Sequence, residues 1–315
     1  MNTSALCVST FTGFSAMKLM NSANLHVQLL LGVLAISFSP LAVKLVSFTP
    51  AVSAFYRSFY AALFIIAGAF LISREELRKS EWHWLIPSAI GGAALGIDLL
   101  FWHKAIIYLG AGPATFIANS QVIFVTLYAA LVFGEKIPAA FYLFMGAVMA
   151  GMYMLMPSSP VAVTRPVGYF YGLCAGAFYA VMLICMRYAK RSSPLGFPAM
   201  FSLGAIFVFS TLTIGLYCIF MERSSFFSGD AGSHLLMAAT ALFCQALGWY
   251  LIQSSITRLP SHEGSLLLIL QPVLATVWGA MIFQEPVNAV QAAGIALATA
   301  GVLAYQWKYA PHNAQ

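Results

Sequence analysis

Long apolar stretches run along the whole chain, and the polar residues gather in short segments between them. Most stretches reach about 20 residues, enough for a helix to cross a hydrocarbon core of about 30 Å. They lack the alternation of polar and apolar residues that marks β-barrel strands. The pattern predicts an all-α polytopic membrane protein with ten transmembrane helices. The predicted spans are residues 27–45, 52–72, 85–103, 114–133, 139–156, 167–187, 197–220, 235–256, 264–283 and 287–307.

The two halves of the chain share landmarks at nearly equal spacing. The matched pairs are the Ala-Leu-Gly triplets at 94 and 246, Gln121 with Gln271, and Glu135 with Glu285. Chance similarity between two Leu- and Ala-rich segments is the alternative, but three landmarks in register favour a duplication. Each half then holds five spans, an odd number, so the second enters the membrane in the opposite sense, as an inverted repeat. The predicted division is 1–24 (cytoplasmic tail), 25–156 (first repeat), 157–166 (extracytoplasmic linker), 167–308 (second repeat) and 309–315 (C-terminal tail).

Composition and charge agree with this class. The chain is 61% hydrophobic and 8% charged, whereas soluble domains carry about 25% charged residues. The net charge of +6 does not indicate nucleic-acid binding, because the basic residues are scattered over short loops. Most of them fall on loops that share a side with both termini, which predicts cytoplasmic termini in a bacterial inner (plasma) membrane. The cysteines form no CxxC pair, so neither a metal site nor a cofactor is expected.

Two charges lie well inside predicted spans, away from the span ends. Arg57 and Asp98 are about 8 Å and about 10 Å below the same membrane face, counted at 1.5 Å per residue. Charge at this depth usually faces a partner or a cavity. The two side chains are therefore expected to pair. The pair either fixes helix packing or forms a substrate or proton site in which Asp98 titrates when Arg57 is drawn away.

Amides and aromatic rings share helix faces in both halves. Gln121 and Tyr128 are spaced as Gln271 and Trp278 are, so each pair lies on one helix face. Further polar and aromatic side chains follow at helical spacing: Trp102 after Asp98, and Gln245, Trp249 and Gln253 on the eighth span. Each amide could simply bond a neighbouring helix. Their recurrence in both halves instead favours a shared central cavity that suits a small polar or zwitterionic molecule with an apolar part.

Other polar residues lie near predicted span ends. His103 is a candidate gate residue, while Lys44 and Lys104 are expected to extend toward lipid headgroups. Glu135, Glu263 and Glu285 are expected to be helix-end carboxylates with no further role. Small residues at helical spacings predict close helix packing; they are Gly91, Gly92, Gly96, Gly146, Ala150, Gly151, Gly172, Gly176, Gly294 and Gly301.

The chain resembles the EamA family of the drug/metabolite transporter superfamily over nearly its whole length. The matching residues are Asp98, Trp102, His103, Ala105, Ile106, Tyr108, Ala118, Asn119 and Phe133–Glu135 in the first half, and Gln245, Leu247–Trp249, Leu251, Ile252, Arg258–Pro260, Leu270–Pro272 and Glu285 in the second. The resemblance implies a ten-span transporter of small metabolites built from two inverted five-helix repeats. Gln121 stands where the family has a proline, so the fourth span is expected to lack a kink that Pro272 gives the ninth.

The predicted function is secondary transport of a small organic metabolite by alternating access between the repeats. An amino acid or related solute comes first, and a nucleotide-like cofactor such as S-adenosylmethionine is the alternative substrate. No GxxxxGK[ST] motif occurs, so transport would draw on gradients or exchange, with a proton as a candidate coupling ion. An integral-membrane enzyme acting on a lipid-borne substrate is the alternative from another class. The expected partners are the substrate and the lipid bilayer, and the protein is expected to be a monomer.

Overall fold

The computed structural model describes residues 24–43, 45–109, 111–155, 166–193, 196–226, 229–284 and 286–309. Within these residues the regular structure is entirely helical. Ten apolar helices, α1–α10, follow in chain order: Asn24–Val43, Pro50–Ile72, Trp82–Leu109, Ala114–Phe133, Ala139–Met154, Pro166–Arg191, Ala199–Met221, Ala231–Ile256, Ser261–Phe283 and Ala289–Tyr309. Across this described part, nine are long and apolar enough to cross a membrane, and α5 is a shorter apolar helix. The all-α multi-pass prediction is confirmed.

Helix packing repeats when the two halves are exchanged. The most extensive contacts join α3 to α6, α2 to α7, α3 to α7, and α5 to α10. Exchanging α1–α5 with α6–α10 maps the α2–α7 and α5–α10 pairs onto themselves. It also maps the α3–α7 pair onto α8–α2 and the α4–α6 pair onto α9–α1. Helices α8 and α2 are in contact, and so are helices α9 and α1. The helix contacts are therefore consistent with two five-helix halves that pack against each other.

Small residues allow the closest helix contacts, as predicted. A Cβ added at Gly151 would lie 2.6 Å from the Ala298 nitrogen on α10, and one at Gly96 would lie 2.7 Å from Thr213 on α7. Gly32 and Gly248 bring α1 and α8 together in the same way. Gly146 differs from the prediction because a Cβ there would meet nothing within 4 Å. The other predicted glycines lie in close contact with a neighbouring helix, whereas Gly146 only shares their spacing.

Several helices are interrupted partway along their length. The α1 helix breaks at Phe38, α4 at Asn119 and Ser120, and α9 at Ile269. The expectation that α4 lacks a kink is therefore wrong, although no proline is present. The Asn119 side chain donates to the Thr115 carbonyl at 2.8 Å. The Ser120 nitrogen donates to the Ile117 carbonyl at 2.9 Å, three residues back, instead of to the carbonyl four residues back as in a regular α-helix. An asparagine that competes for backbone acceptors interrupts a helix without a proline.

Two helix boundaries also differ from the prediction and change where residues lie. The α3 helix continues to Leu109, so His103 and Lys104 lie inside it, and the Lys104 ammonium lies 5.7 Å from the Tyr171 ring centre. The α6 helix continues to Arg191, so Arg187, the last residue of the predicted span, lies inside the helix and is buried. Lys44 and Glu285 lie outside the described residues.

Candidate functional site

Ser39 is a buried acceptor shared by two donors from different helices. It follows the break in α1, where the helix resumes after Phe38. The guanidinium of Arg57 on α2 donates to Ser39 Oγ at 2.8 Å, and Gln245 Nε2 on α8 donates to the same oxygen at 3.1 Å. All three side chains are buried. Because Gln245 belongs to the second half, this polar group joins the two halves.

Asp98 lies on α3 near this group but is not bonded to it. Arg57 and Asp98 are close enough to attract each other electrostatically. The predicted direct pair is nevertheless not formed, because Arg57 bonds Ser39 and no nitrogen–oxygen contact within 4.0 Å joins Arg57 to Asp98. Across the described part of the chain, no hydrogen-bond donor reaches the Asp98 carboxylate. The structure thus holds two nearby opposite charges apart.

Tyr179 on α6 connects three predicted site residues. Gln271 Nε2 donates to the Tyr179 hydroxyl at 3.4 Å, and the Trp249 ring meets the Tyr179 ring edge-on at 6.1 Å. Asp98 acts electrostatically on the same tyrosine. Gln245 lies within the π-helical segment Ala241–Gly248 of α8, and Trp249 follows directly after this segment, one helical turn beyond Gln245. The structure therefore groups five of the predicted residues: Arg57, Asp98, Gln245, Trp249 and Gln271.

Trp278 lies beside this group, at the break in α1. Its indole nitrogen donates to Ser37 Oγ at 2.8 Å, and its ring stacks on Phe38 with centres 4.7 Å apart. The α1 break thereby contacts α9 through Ser37 and Phe38, and α8 through Ser39. Sequence reasoning missed Ser37, Ser39 and Tyr179, because a serine or tyrosine in an apolar helix carries no distinguishing pattern.

The remaining three predicted site residues make separate contacts. Gln121 is fully buried and donates to the Ser265 carbonyl on α9 at 3.4 Å. The Tyr128 ring packs on Phe133 at 5.4 Å, and the Trp102 indole donates to Thr115 at 3.3 Å. These contacts do not join them to Arg57 or Asp98.

Gln121 and Gln271 were expected to occupy equivalent positions facing one cavity. The Gln121 side chain donates to Ser265 of the other half. Gln271 is half-buried and donates to Tyr179 of its own half. Tyr179 in turn lies near Asp98 of the first half. That the two glutamines line one cavity stays a prediction.

A charged network joins the halves at the terminal end, by which we mean the end of the bundle where α1 begins and α10 ends. Glu135 after α4 accepts bonds from the Ser261 nitrogen at 2.8 Å, the Ser261 hydroxyl at 3.0 Å and Arg187 at 3.3 Å. Arg187 also donates to the Leu259 carbonyl. The expectation that Glu135 is a helix-end carboxylate without further role is wrong, because residues distant in sequence fold around it.

Glu263 is also partnered at this end. His26 Nε2 lies 3.1 Å from its carboxylate, and Gln306 donates to its backbone carbonyl at 3.3 Å. The side chain is buried, so the expectation that a helix start alone accounts for Glu263 is wrong as well. These contacts tie the first turn of α1 to α9 and α10.

The opposite end of the bundle, the far end, is closed by loop contacts between the halves. Ser47 Oγ donates to Asp230 at 2.9 Å, and Thr49 donates to Glu222. The Ser233 side chain, the Ser233 backbone and then Ser47 donate to Asp230 and hold its pKa well below its usual range. In the described residues, no group of three or more His, Cys, Asp or Glu side chains is placed to hold a metal ion.

These features define a class: a multi-pass helical membrane protein of two equivalent halves, with a buried polar group where the halves meet. The model of the EamA-like transporter family matches residues 25–156 and 166–305, one match to each half. The chain belongs to this family.

A solved crystal structure gives a similar picture of the fold. It aligns with a TM-score of 0.72 and 20% sequence identity, over 89% of this chain and 96% of its own. At this identity the likeness concerns the fold alone. No curated protein matches the chain.

Proposed function

We propose that this protein is a secondary transporter that moves a small organic metabolite across the plasma membrane by alternating access. The solute is an amino acid or a related polar, amphipathic molecule, and it binds in a central cavity between the repeats. The membrane is a bacterial inner membrane with both chain termini on the cytoplasmic side. The protein works as a monomer in the lipid bilayer.

The observation that carries this proposal is the buried polar group made by both halves. Arg57 and Ser39 from the first half meet Gln245 from the second, with Asp98 and Tyr179 beside them. Charged side chains at membrane depth are costly and mark pathways or binding sites in membrane proteins. In a transporter of two repeats the substrate site lies between the repeats near the bilayer midplane.

Two other functions give different outcomes in the same measurements. A nucleotide-like cofactor such as S-adenosylmethionine would be transported through the same site. An integral-membrane enzyme acting on a lipid-borne substrate would instead yield a chemically altered product. Asp98 is the candidate group for a coupling proton, so an Asp98→Asn variant with the pH dependence of the wild type would contradict proton coupling through Asp98.

The test combines ligand screening with transport. Purified protein is screened against metabolites by thermal shift, since a ligand of the native state raises the melting temperature with concentration. The ligands found are then followed in proteoliposomes, with Gln245→Leu as the site variant and Gln291→Leu, at the start of α10, as the matched control. Flux that Gln245→Leu lowers and Gln291→Leu does not supports the proposal. A converted product without flux would show that the protein is an enzyme.

A further inference from the structure

The geometry points to a ligand that carries a positive and a negative charge at once. We propose that Arg57 and Gln245 bind its anionic end and that Asp98 binds its cationic end, so that the ligand completes the ion pair that the protein leaves open. This inference rests on the proposed function, because it concerns the same site. It assigns an orientation and adds Ser39 and Tyr179 as positioning residues.

One side of the site has more donors than acceptors. Arg57 and Gln245 both donate to the single oxygen Ser39 Oγ. Arg57 makes no other hydrogen bond within the described residues, which leaves most of its five N–H groups for a ligand. Such a surplus of donors suits a carboxylate, which accepts bidentate bonds from arginine.

The other side has an acceptor without a donor. Asp98 is only 8% exposed, yet no hydrogen bond from the described residues reaches its carboxylate. Within the described chain, neither Asp98 carboxylate oxygen is fully enclosed by protein atoms. Each oxygen therefore borders open space. An ammonium group, with three N–H donors and a positive charge, matches this side.

The polar residues between the helices keep the two charges apart. Ser39 holds the Arg57 guanidinium, so the guanidinium does not reach Asp98. A buried charge without a close partner is costly, and a ligand with only one charge would leave either Arg57 or Asp98 uncompensated. A zwitterion compensates both. Tyr179, which is near Asp98, and the Trp249 ring packed edge-on against Tyr179 can cover the apolar part of the ligand.

The experiment uses the purified full chain and matched sets of probes. Each of the L-α-amino acids is tested by thermal shift and by equilibrium binding, together with its carboxamide, which lacks the negative charge, and its deaminated acid, which lacks the positive charge. We expect binding of amino acids and at least about tenfold weaker binding of both analogues, as for loss of a hydrogen bond to a charged group.

Variants assign each charge to its residue. In Asp98→Asn the deaminated acid should bind as well as the amino acid, and in Arg57→Gln the carboxamide should do so. Ser39→Ala is a milder variant that removes no charge but frees Arg57 to pair with Asp98, so it should weaken amino-acid binding most and narrow the preference for the amino acid over both analogues. If the charge variants fail to fold, Ser39→Ala still decides, because unchanged preference among the three probes in that variant contradicts the assignment.

Equal binding of the analogues and the amino acids to the wild type would overturn the inference. Binding and flux of solutes with a single charge, and none of amino acids, would overturn it while leaving the transporter function intact. Absence of flux for every metabolite in proteoliposomes would instead count against the proposed function itself.

Discussion

Ser39 illustrates how single polar side chains are managed inside the bundle. Its hydroxyl accepts from Arg57 and from Gln245, so three helices meet at one oxygen. Glu135 likewise accepts several hydrogen bonds, from the backbone nitrogen and the hydroxyl of Ser261 and from Arg187. Buried polar atoms need such partners because desolvation without a hydrogen bond is costly. At the residue scale, the polar contacts between the halves are therefore specific.

The Glu135–Arg187 pair should contribute to stability. The side chains are only 17% and 7% exposed, so Glu135→Gln leaves the Arg187 charge buried without its partner. We expect a loss of about 3 kcal/mol in the free energy of unfolding, as for other broken buried pairs. Lys79→Gln is the control, because Lys79 pairs with Glu75 in an exposed position. Denaturation in detergent measures both variants, and equal stability of the two would contradict the prediction.

At the element scale, helix interruptions decide which polar groups can meet. The α1 break at Phe38 precedes Ser39 and presents Ser37 to Trp278, while the α4 break lies against Gly176 of α6. A Cβ at Gly176 would lie 2.7 Å from the Ala118 carbonyl, so the break and the glycine together allow the close approach of α4 and α6. Elsewhere, unbroken helices pack through small residues.

The two glycines of α5 should respond differently to a methyl group. Gly151→Ala places its methyl 2.6 Å from the Ala298 nitrogen and 2.7 Å from the Gly294 carbonyl, so α5 and α10 must separate. We expect a loss of about 1–3 kcal/mol, as for other overpacked sites. Gly146→Ala on the same helix meets nothing within 4 Å and should be neutral or slightly stabilising. Thermal unfolding of both variants tests this, and a larger loss at Gly146 would refute it.

Asp230 should stabilise the start of α8. Its carboxylate accepts from the Ser233 nitrogen at 2.9 Å, as an N-cap does. Asp230→Ala should lower the melting temperature, whereas Asp230→Asn, which retains a capping oxygen, should lower it less. Because the folded pKa is depressed, the contribution is present above the unfolded pKa and is lost only as pH falls through the lower folded value. The difference between the variants should therefore be constant around neutral pH, and a marked change there would speak against this account.

At the scale of the whole molecule, the halves are joined along their full length. The Glu135 network and the His26–Glu263 pair link them at the terminal end, and Ser47–Asp230 and Thr49–Glu222 link them at the far end. Between the ends, α2 packs on α7, α3 on α6 and α5 on α10. Movement of one half against the other therefore has to break polar contacts at one or both of these ends.

This packing predicts that the halves stay together without a covalent link. A protease site inserted within residues 156–165, between α5 and α6, should give two fragments that co-purify after cleavage and keep the binding properties of the intact chain. Co-purification follows from the extensive helix contacts across the two halves. Size-exclusion chromatography in detergent measures it, with the uncut protein as control. Fragments that separate would contradict this view of the interface.

The sequence by itself determined the helices, their number and the duplication. Membrane insertion depends on apolar length, which is local, and paired landmarks such as Gln121 and Gln271 survive in register. The sequence also predicts similar membrane depths for Arg57 and Asp98, because depth follows from the residue count along a helix. The span ends and the α4 break were harder to predict from the sequence, because a side chain such as Asn119 competes locally for backbone hydrogen bonds.

Only the tertiary structure decided which side chains meet. It joined Arg57 to Ser39 instead of Asp98, selected Tyr179 among many tyrosines, and enclosed Glu135 with Arg187 and Ser261. Each of these contacts depends on the faces that helices distant in sequence turn toward one another. Those faces are set by the summed packing of the whole bundle, to which any single residue contributes little.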